Sequence, residues 1–274
     1  MSSREIVIEP GRATGQYWRD LWHCRELLWW MAWRDVLLRY HQATIGFAWA
    51  VLRPLLAMVV FSFIFGRLAH LPAPGVPYPL LVYAGMLPWQ CFATALADAG
   101  TSLNNKESII TKVYFPRMIV PAAAVAVSFV DFLAAATLLV GLMAWYGVAP
   151  DWRVLVLPLL LLLLLCCALG AGLWIAMLSV RYKDFRYIIP FMVQMGFFIS
   201  PVGFHTTFLP PEWRPVYALN PMVGVIDGFR WALLGIEFED LTRSLTTSAA
   251  VSLTLLLSGI AYFRRSEQTL AEWL

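Results

Sequence analysis

The sequence is poor in charged residues, and it lacks the motifs that indicate soluble nucleotide or metal chemistry. Charged residues make up 14% of the 274 residues, whereas a soluble domain of this length carries about 25%. No GxxxxGK[ST] phosphate loop occurs, so the chain has no device of that kind for binding ATP. The four cysteines form no CxxC pair, and the four histidines are scattered. We therefore expect no catalytic residue, no metal and no cofactor in this chain.

Long apolar stretches occupy most of the sequence instead, since 60% of the residues are hydrophobic. A helix needs about 20 mostly apolar residues to cross about 30 Å of hydrocarbon. We predict an all-α integral membrane protein with six transmembrane helices. The predicted spans are 46–65, 78–97, 118–146, 154–180, 187–204 and 245–263, and Pro190 and Pro201 interrupt the fifth.

The Lys and Arg residues predict the orientation of these spans. Fourteen of them fall before the first span, in the second-to-third and fourth-to-fifth connections and in the tail, whereas five fall in the other connections. Because loops rich in Lys and Arg stay in the cytoplasm, both termini are expected there.

The segment before the first span predicts a helix that lies at a membrane surface. Residues 17–40 carry too many charges to span, and five aromatic residues share one narrow stripe of a helical wheel. They are Trp18, Trp22, Trp29, Trp33 and Tyr40. Aromatic rings beside arginines favour the headgroup region, although packing against other protein is the alternative. The predicted organisation is a cytoplasmic N-terminus (1–45), a six-span domain (46–264) and a cytoplasmic tail (265–274).

Two connections between spans are unusual. Residues 99–117 are polar, are expected in the cytoplasm and are numerous enough to include a short helix. Residues 205–243 face outward and contain Asn220, which is placed to cap a helix that has Pro221 at its first position. Asp227 and Arg230 interrupt the apolar stretch that follows. That helix is expected to re-enter the outer leaflet or to lie across the bundle.

Two charged residues lie inside predicted spans, where charges are costly and often functional. Arg53 lies in the first span and Asp131 is central in the third. They are candidates for a structural ion pair with each other, and a proton relay is the alternative.

Aromatic residues make up 15% of the chain and can stack on sugar faces. The candidates for lining a conduit are Phe61, Phe65, Trp89, Phe92, Phe197 and Phe198.

Several strings, in the expected order, resemble one family. They are RY at 39–40 with IGFAWAVLRPL at 45–55, PLLVYAGMLPW at 79–89, NNKESIITKVYFPR at 104–117, RYKDFRYIIP at 181–190, SP at 200–201 and LNPM at 219–222. These strings resemble the permeases of polysaccharide ABC exporters, which are type 2 ABC transporters, and the resemblance covers about residues 17–265.

The resemblance implies a homodimer in the bacterial inner membrane that pairs with two separate ATPase subunits, which bind the ATP and Mg. It implies export of a lipid-linked polysaccharide, with O-antigen as the first expectation. It also implies that residues 17–40 form an interface helix and that residues 211–234 form gate helices, with Trp213, Asn220, Pro221, Asp227 and Arg230 as the gate residues. The implied ATPase-coupling residues are Ser102, Asn104, Asn105, Lys106, Glu107 and Ser108.

Other functions stay open at this point. Capsular polysaccharide, teichoic acid, a drug and a small lipid are alternative substrates for an ABC exporter. A proton-coupled secondary transporter would use Asp131 and would need more ionisable groups inside the membrane. A membrane-embedded transferase would need clustered acidic or histidine residues at one membrane face.

Overall fold

The computed structural model describes residues 14–41, 48–68, 75–113, 115–267 and 269–270. Within these ranges the chain is helical and contains no strand. The predicted N-terminal residues 1–13 and 42–45, the first two residues of the first predicted span, Tyr114 and the tail residues 271–274 lie outside them. In chain order the helices are α1 (Thr14–His23), α2 (Arg25–His41), α3 (Ala48–Phe61), α4 (Tyr78–Asn105), α5 (Glu107–Ile110), α6 (Ile119–Trp145), α7 (Leu157–Arg181), α8 (Phe185–Ile199), α9 (Arg214–Tyr217), α10 (Pro221–Leu234) and α11 (Leu241–Ser266).

Five helical segments of the described chain are long and apolar enough to cross a membrane. They are Val51–Leu68, Tyr78–Asn105, Ile119–Trp145, Trp152–Arg181 and Leu241–Ser266. The first joins α3 to a π-helical turn (Ser62–Leu68), and the fourth joins a 3-10 turn (Trp152–Val156) to α7. They match five of the six spans predicted from the sequence.

The remaining predicted span, 187–204, is shorter in the structure than expected. It corresponds to α8, which has 15 residues and is therefore about 22 Å long at 1.5 Å per residue. The helix ends at Ile199 because Ser200 is extended, with a ψ of 152°. Ser200 precedes Pro201, and the residue before a proline avoids helical geometry. The predicted interruption at Pro201 is therefore observed, whereas Pro190 lies inside α8 and does not end the helix.

The segment 17–40 forms two helices rather than the single helix that was predicted. The chain turns at Cys24, whose carbonyl accepts from the backbone nitrogens of Leu27 and Leu28. The turn lets both helices place apolar side chains, such as Tyr17 from α1 and Met31 from α2, on one cluster with Phe115 and Phe263. Both helices therefore contribute to the same apolar cluster.

α4 is longer than the predicted second span and the connection after it is correspondingly shorter. α4 continues past Ala97 to Asn105, and α5 has only four residues. The extra turns stay helical because α7 covers them. A Cβ on Gly100 would lie 2.7 Å from Cγ2 of Ile175, and a Cβ on Gly172 would lie 2.7 Å from Cβ of Ala99.

The bundle is built around α4, which packs against both α6 and α7, while α11 covers the other side of α7. α7 and α11 approach so closely that their backbones touch. A Cβ on Gly170 would lie 2.5 Å from the backbone nitrogen of Leu256, and one on Gly259 would lie 2.5 Å from the carbonyl oxygen of Gly170. Glycine at these two positions therefore sets the spacing of the two helices.

Substitution of Gly170 by Ala tests this packing. The new methyl group meets backbone, which cannot move aside as a flexible side chain can, so we expect a loss of about 1–3 kcal/mol in the free energy of unfolding. Gly141→Ala in α6 is the matched control, because a Cβ there meets nothing within 4 Å. Thermal unfolding of the purified chain in detergent, followed by tryptophan fluorescence, measures both. Equal melting temperatures for the two variants would contradict the packing.

Candidate functional site

One end of the bundle carries Lys106, Arg117, Arg181 and Arg264, and we call it the basic end. The other end carries α10, and we call it the α10 end.

Of the six residues expected to contact an ATPase, three turn inward at the basic end. Ser102 donates to the carbonyl of Ala99 (2.7 Å), and Asn104 Nδ2 donates to Ser179 Oγ (3.1 Å). Lys106 is only 8% exposed. These three residues hold the segment in place.

The other three residues, Asn105, Glu107 and Ser108, are exposed. Glu107 begins α5, and its carbonyl accepts from Thr111 Oγ1 (2.9 Å), which closes the short helix. The face that a partner subunit can reach is thus narrower than the predicted set of six residues.

α2 is tied to the bundle by two charged residues on the same helical face. Asp35 and Arg39 are four residues apart, and that spacing places them on one face. Lys106 Nζ donates to Asp35 Oδ2 at 2.5 Å. α2 is therefore bound to the residue that immediately precedes α5.

Arg39 extends the same connection to two membrane-spanning helices. Its Nη2 donates to Asp98 of α4 at 2.5 Å, and its Nη1 donates to Asp131 of α6. Tyr40 donates to the second oxygen of Asp131. Burial by itself lowers the pKa of Arg39, but the two carboxylates together raise the pKa by more than burial lowers it. The net shift is upward, so the guanidinium stays charged. We call Asp35, Arg39, Asp98, Lys106 and Asp131 the charged latch.

The ion pair between Arg53 and Asp131 that was considered from the sequence is not the one in the structure. Asp131 pairs with Arg39 rather than with Arg53, whose guanidinium lies over the ring of Trp49 at 5.9 Å from its centroid. The sequence predicted no site role for Asp35 or Arg39, whereas the position of Asp98 at the end of the second predicted span marked it as a charge near the membrane. The i, i+4 spacing of Asp35 and Arg39 indicates that they share one helical face. Their partners lie 59 to 92 residues away along the chain, and no local sequence pattern identifies such distant partners.

The four stripe tryptophans of α1 and α2 point away from the bundle. Trp18, Trp22, Trp29 and Trp33 are between 41% and 68% exposed, whereas Met31 and Ala32 on the opposite face are buried. The predicted amphipathic pattern therefore corresponds to one face packed on protein and one aromatic face that the described residues leave uncovered.

At the α10 end the structure places an unusual buried cation. Asn220 accepts from the backbone nitrogen of Met222 (3.0 Å), and Pro221 opens α10, as predicted. Asp227 and Arg230 are on the buried face, with Arg230 0% exposed. Trp213, the fifth predicted gate residue, is largely exposed.

Arg230 is satisfied by three backbone carbonyls from two separate segments. Its Nε donates to Leu81 (3.1 Å), its Nη1 to Phe204 (2.9 Å) and its Nη2 to Val202 (2.7 Å). Gly85 makes room for the guanidinium, since a Cβ there would lie 2.6 Å from Nη2. The side chain thus joins α10, α4 and the non-helical segment after α8.

The surroundings of Arg230 are polar and almost free of solvent. Asp227 Oδ2 accepts from Thr206 Oγ1 (2.8 Å), and its other oxygen lies 4.0 Å from Arg230. Burial raises the pKa of Asp227, although Arg230 opposes the shift. Burial, assisted by the nearby Arg230, lowers the pKa of His205 to about 4, so the imidazole that stacks on Phe238 is neutral.

The six aromatic conduit candidates form one connected cluster between α3, α4 and α8. Phe197 of α8 is central, with ring centroids 5.3 Å from Phe61, 6.3 Å from Trp89 and 5.7 Å from Phe198. Phe65 adjoins Phe61 and Phe92 adjoins Trp89. Trp89 is 5% exposed whereas Phe198 is 63% exposed, so the cluster runs from the core to the uncovered face of α8.

Comparison with known proteins fits this arrangement of helices. Residues 26–234 match the ABC-2 type transporter family over most of the chain. The chain belongs to that family. It is therefore a multi-pass membrane transport component, in keeping with the five apolar helices.

Individual relatives align with most of the length of this chain. The O-antigen export system permease protein RfbA of Myxococcus xanthus is 27% identical over 256 residues, which cover 93% of this chain and 97% of the relative. RfbA of Klebsiella pneumoniae is 22% identical over 87% of this chain and 91% of its own length. The polysialic acid transport protein KpsM of Escherichia coli is 24% identical over 86% of this chain and 92% of its own length.

The pairing of Lys106 with Asp35 in this ABC-2 chain is testable by charge reversal. Lys106→Glu places two carboxylates together at a largely buried position, and we expect a loss of about 1–3 kcal/mol in stability. The double variant Asp35→Lys/Lys106→Glu restores opposite charges and should recover part of it. Thermal unfolding in detergent measures the cycle. A double variant that is as unstable as the sum of its single variants would contradict the contact.

Arg230→Lys tests the three-carbonyl site. A lysine ammonium is a point charge that cannot reproduce the guanidinium fork, so carbonyls lose their donors at about 1–3 kcal/mol each. The melting temperature should fall clearly. Arg243→Lys, at an exposed position of α11, is the control and should melt like the parent. An Arg230→Lys variant with unchanged melting would refute the assigned role.

Proposed function

We propose that this chain is the permease subunit of an ATP-driven exporter that moves a lipid-linked polysaccharide across the bacterial inner membrane, with O-antigen as the first candidate. The observation that carries the proposal is the end-to-end alignment with an O-antigen export permease, covering 93% of this chain and 97% of the relative. The missing phosphate loop agrees with a transport subunit whose ATPase is a separate protein.

In this proposal the chain crosses the membrane six times and both termini are cytoplasmic. α8 makes the fifth crossing, completed by the non-helical residues that follow it. Irregular backbone at membrane depth requires internal partners, and Arg230 provides them for Val202 and Phe204. The basic end then faces the cytoplasm, in agreement with the positive-inside rule. The N-terminal segment (1–45), the spanning domain (46–264) and the tail (265–274) keep their predicted roles.

Two copies of this chain would pair with two ATPase subunits, which bind ATP and Mg. The exposed residues Asn105, Glu107 and Ser108 would contact the ATPase. Movement of α5 would pass through Lys106 to Asp35, and then through Arg39 to α4 and α6. A rigid-body shift of this kind is a recognised way of switching between two states.

The aromatic cluster around Phe197 would line the conduit for the glycan. The face of an aromatic ring is apolar and carries partial negative charge, so the C–H faces of sugars can stack on it whatever the order of sugars in the polymer. α10, held by Arg230, would act as the gate helix on the outer side.

A capsular polysaccharide is the second candidate substrate, because the relative named for polysialic acid transport aligns over 86% of this chain. The proton-coupled alternative is weaker, because both carboxylate oxygens of Asp131 already accept hydrogen bonds, one from Arg39 and one from Tyr40.

Co-expression with a cognate ATPase subunit and purification in detergent tests the assembly. We expect a complex of two copies of each subunit that hydrolyses ATP. Glu107→Arg reverses the charge of an exposed α5 residue and should weaken the complex by about tenfold or more in affinity, the loss expected for a charge-assisted contact. Arg265→Glu, an exposed charge reversal at the end of α11, is the control. A chain that purifies alone, with no ATPase bound, would argue against the proposal.

A further inference from the structure

Two cavities meet inside the bundle, and they differ sharply in chemistry. The polar cavity, of about 450 Å³, lies between α2, α3, α4 and α6 and is lined by Arg39, Arg53, Gln90, Asp98 and Asp131 among others. The apolar groove, of about 680 Å³, lies between α6, α7 and α10. Both are lined by Leu87 and Phe132, so the two spaces adjoin at these side chains.

The apolar groove is suited to a hydrocarbon chain. Side chains such as Ala136, Val140, Leu161, Phe229 and Leu233 line it, and no charged residue does so among the described residues. Apolar cavities stay dry, so within a bilayer the material available to fill this one is a lipid chain.

The length of the groove limits the type of chain. Asp131 lines the polar cavity and Ala144 lines the groove, and they are 13 residues apart on α6. The distance between them along the helix axis is therefore about 20 Å. That is about two-thirds of the hydrocarbon thickness. The turn at residues 147–150 lines the far end. An ordinary acyl chain matches this length, whereas a polyprenyl chain is several times longer.

The charges of the polar cavity define the head that it would accept. Arg53 makes no ion pair among the described residues, and its guanidinium lies over Trp49. Asp98 and Asp131 share the single guanidinium of Arg39, which leaves one negative charge in excess. The cavity therefore offers one uncompensated positive and one uncompensated negative group, and a zwitterion complements both.

We infer that this chain binds one molecule of a zwitterionic phospholipid of the phosphatidylethanolamine class. The phosphate lies at Arg53, the ammonium lies at Asp98, since both oxygens of Asp131 already accept from Arg39 and Tyr40, and one acyl chain passes Leu87 and Phe132 into the apolar groove. This lipid is a bound component and not the transported substrate. It touches the charged latch with its head and α10 with its chain, so it connects the two ends of the bundle.

Native mass spectrometry of the full-length chain tests this inference. The chain is purified in detergent, stripped of lipid and exposed to equal amounts of phosphatidylethanolamine and phosphatidylglycerol with the same acyl chains. We expect retention of about one phosphatidylethanolamine per chain, in preference to phosphatidylglycerol. Arg53→Gln should reduce retention by about tenfold, as expected for loss of a charge-assisted contact. Ala144→Phe should also reduce it, because the ring occupies the groove.

Two matched variants control for general effects of the substitutions. Arg186→Gln removes an exposed arginine outside both cavities, and Ala250→Phe adds a ring to an exposed position of α11. Both should retain lipid like the parent. Equal retention of the two phospholipids, a preference for an added polyprenyl phosphate, or retention unchanged by Arg53→Gln and Ala144→Phe would each overturn the inference. Because the assay needs neither ATPase nor export, failure of the proposed function would not alter its result.

Discussion

The structure depends on the pairing of Arg39 with the carboxylates of Asp98 and Asp131. Charges within membrane-spanning helices are costly unless they are paired, and Asp131 lies 12 residues into α6, about 18 Å along the helix. Arg39 provides the counter-charge and thereby fixes α2 beside α4 and α6. With α2 fixed, Asp35 reaches Lys106 just before α5. The surface that would receive an ATPase is thus connected to two spans through a short row of side chains.

Polar groups at the α10 end also need partners inside the protein. The segment after α8 leaves helical geometry at Ser200, and its carbonyls need donors in a place without water. Arg230 provides three donations to Leu81, Val202 and Phe204, and Gly85 leaves the space for them. A single arginine therefore holds α10 against α4 and stabilises an irregular segment. Movement of α10 relative to α4 would break these hydrogen bonds.

Much of the architecture could be predicted from the sequence because the membrane imposes a simple rule on helix length and polarity. Five spans, the cap at Asn220 and the position of α10 follow from hydropathy and local motifs. The six aromatic residues singled out by sequence do meet in one cluster. The partner of Asp131, the inward turn of Lys106 and the carbonyl partners of Arg230 could not be predicted, because contacts between residues distant in the chain depend on the packing of whole helices. The turn at Cys24 and the extension of α4 to Asn105 likewise depend on the surfaces that cover them.

Together these features describe an ABC-2 transport chain whose two ends are each fixed by an arginine. In the function proposed for it, a separate ATPase supplies the energy for transport. Transport into proteoliposomes tests that claim most directly. The chain and an ATPase subunit are reconstituted together, and the movement of a fluorescently labelled lipid-linked polysaccharide across the bilayer is followed. We expect movement that requires ATP and both subunits and that a proton gradient cannot replace. Movement driven by a proton gradient in vesicles that hold this chain alone would rule out an ATP-driven permease.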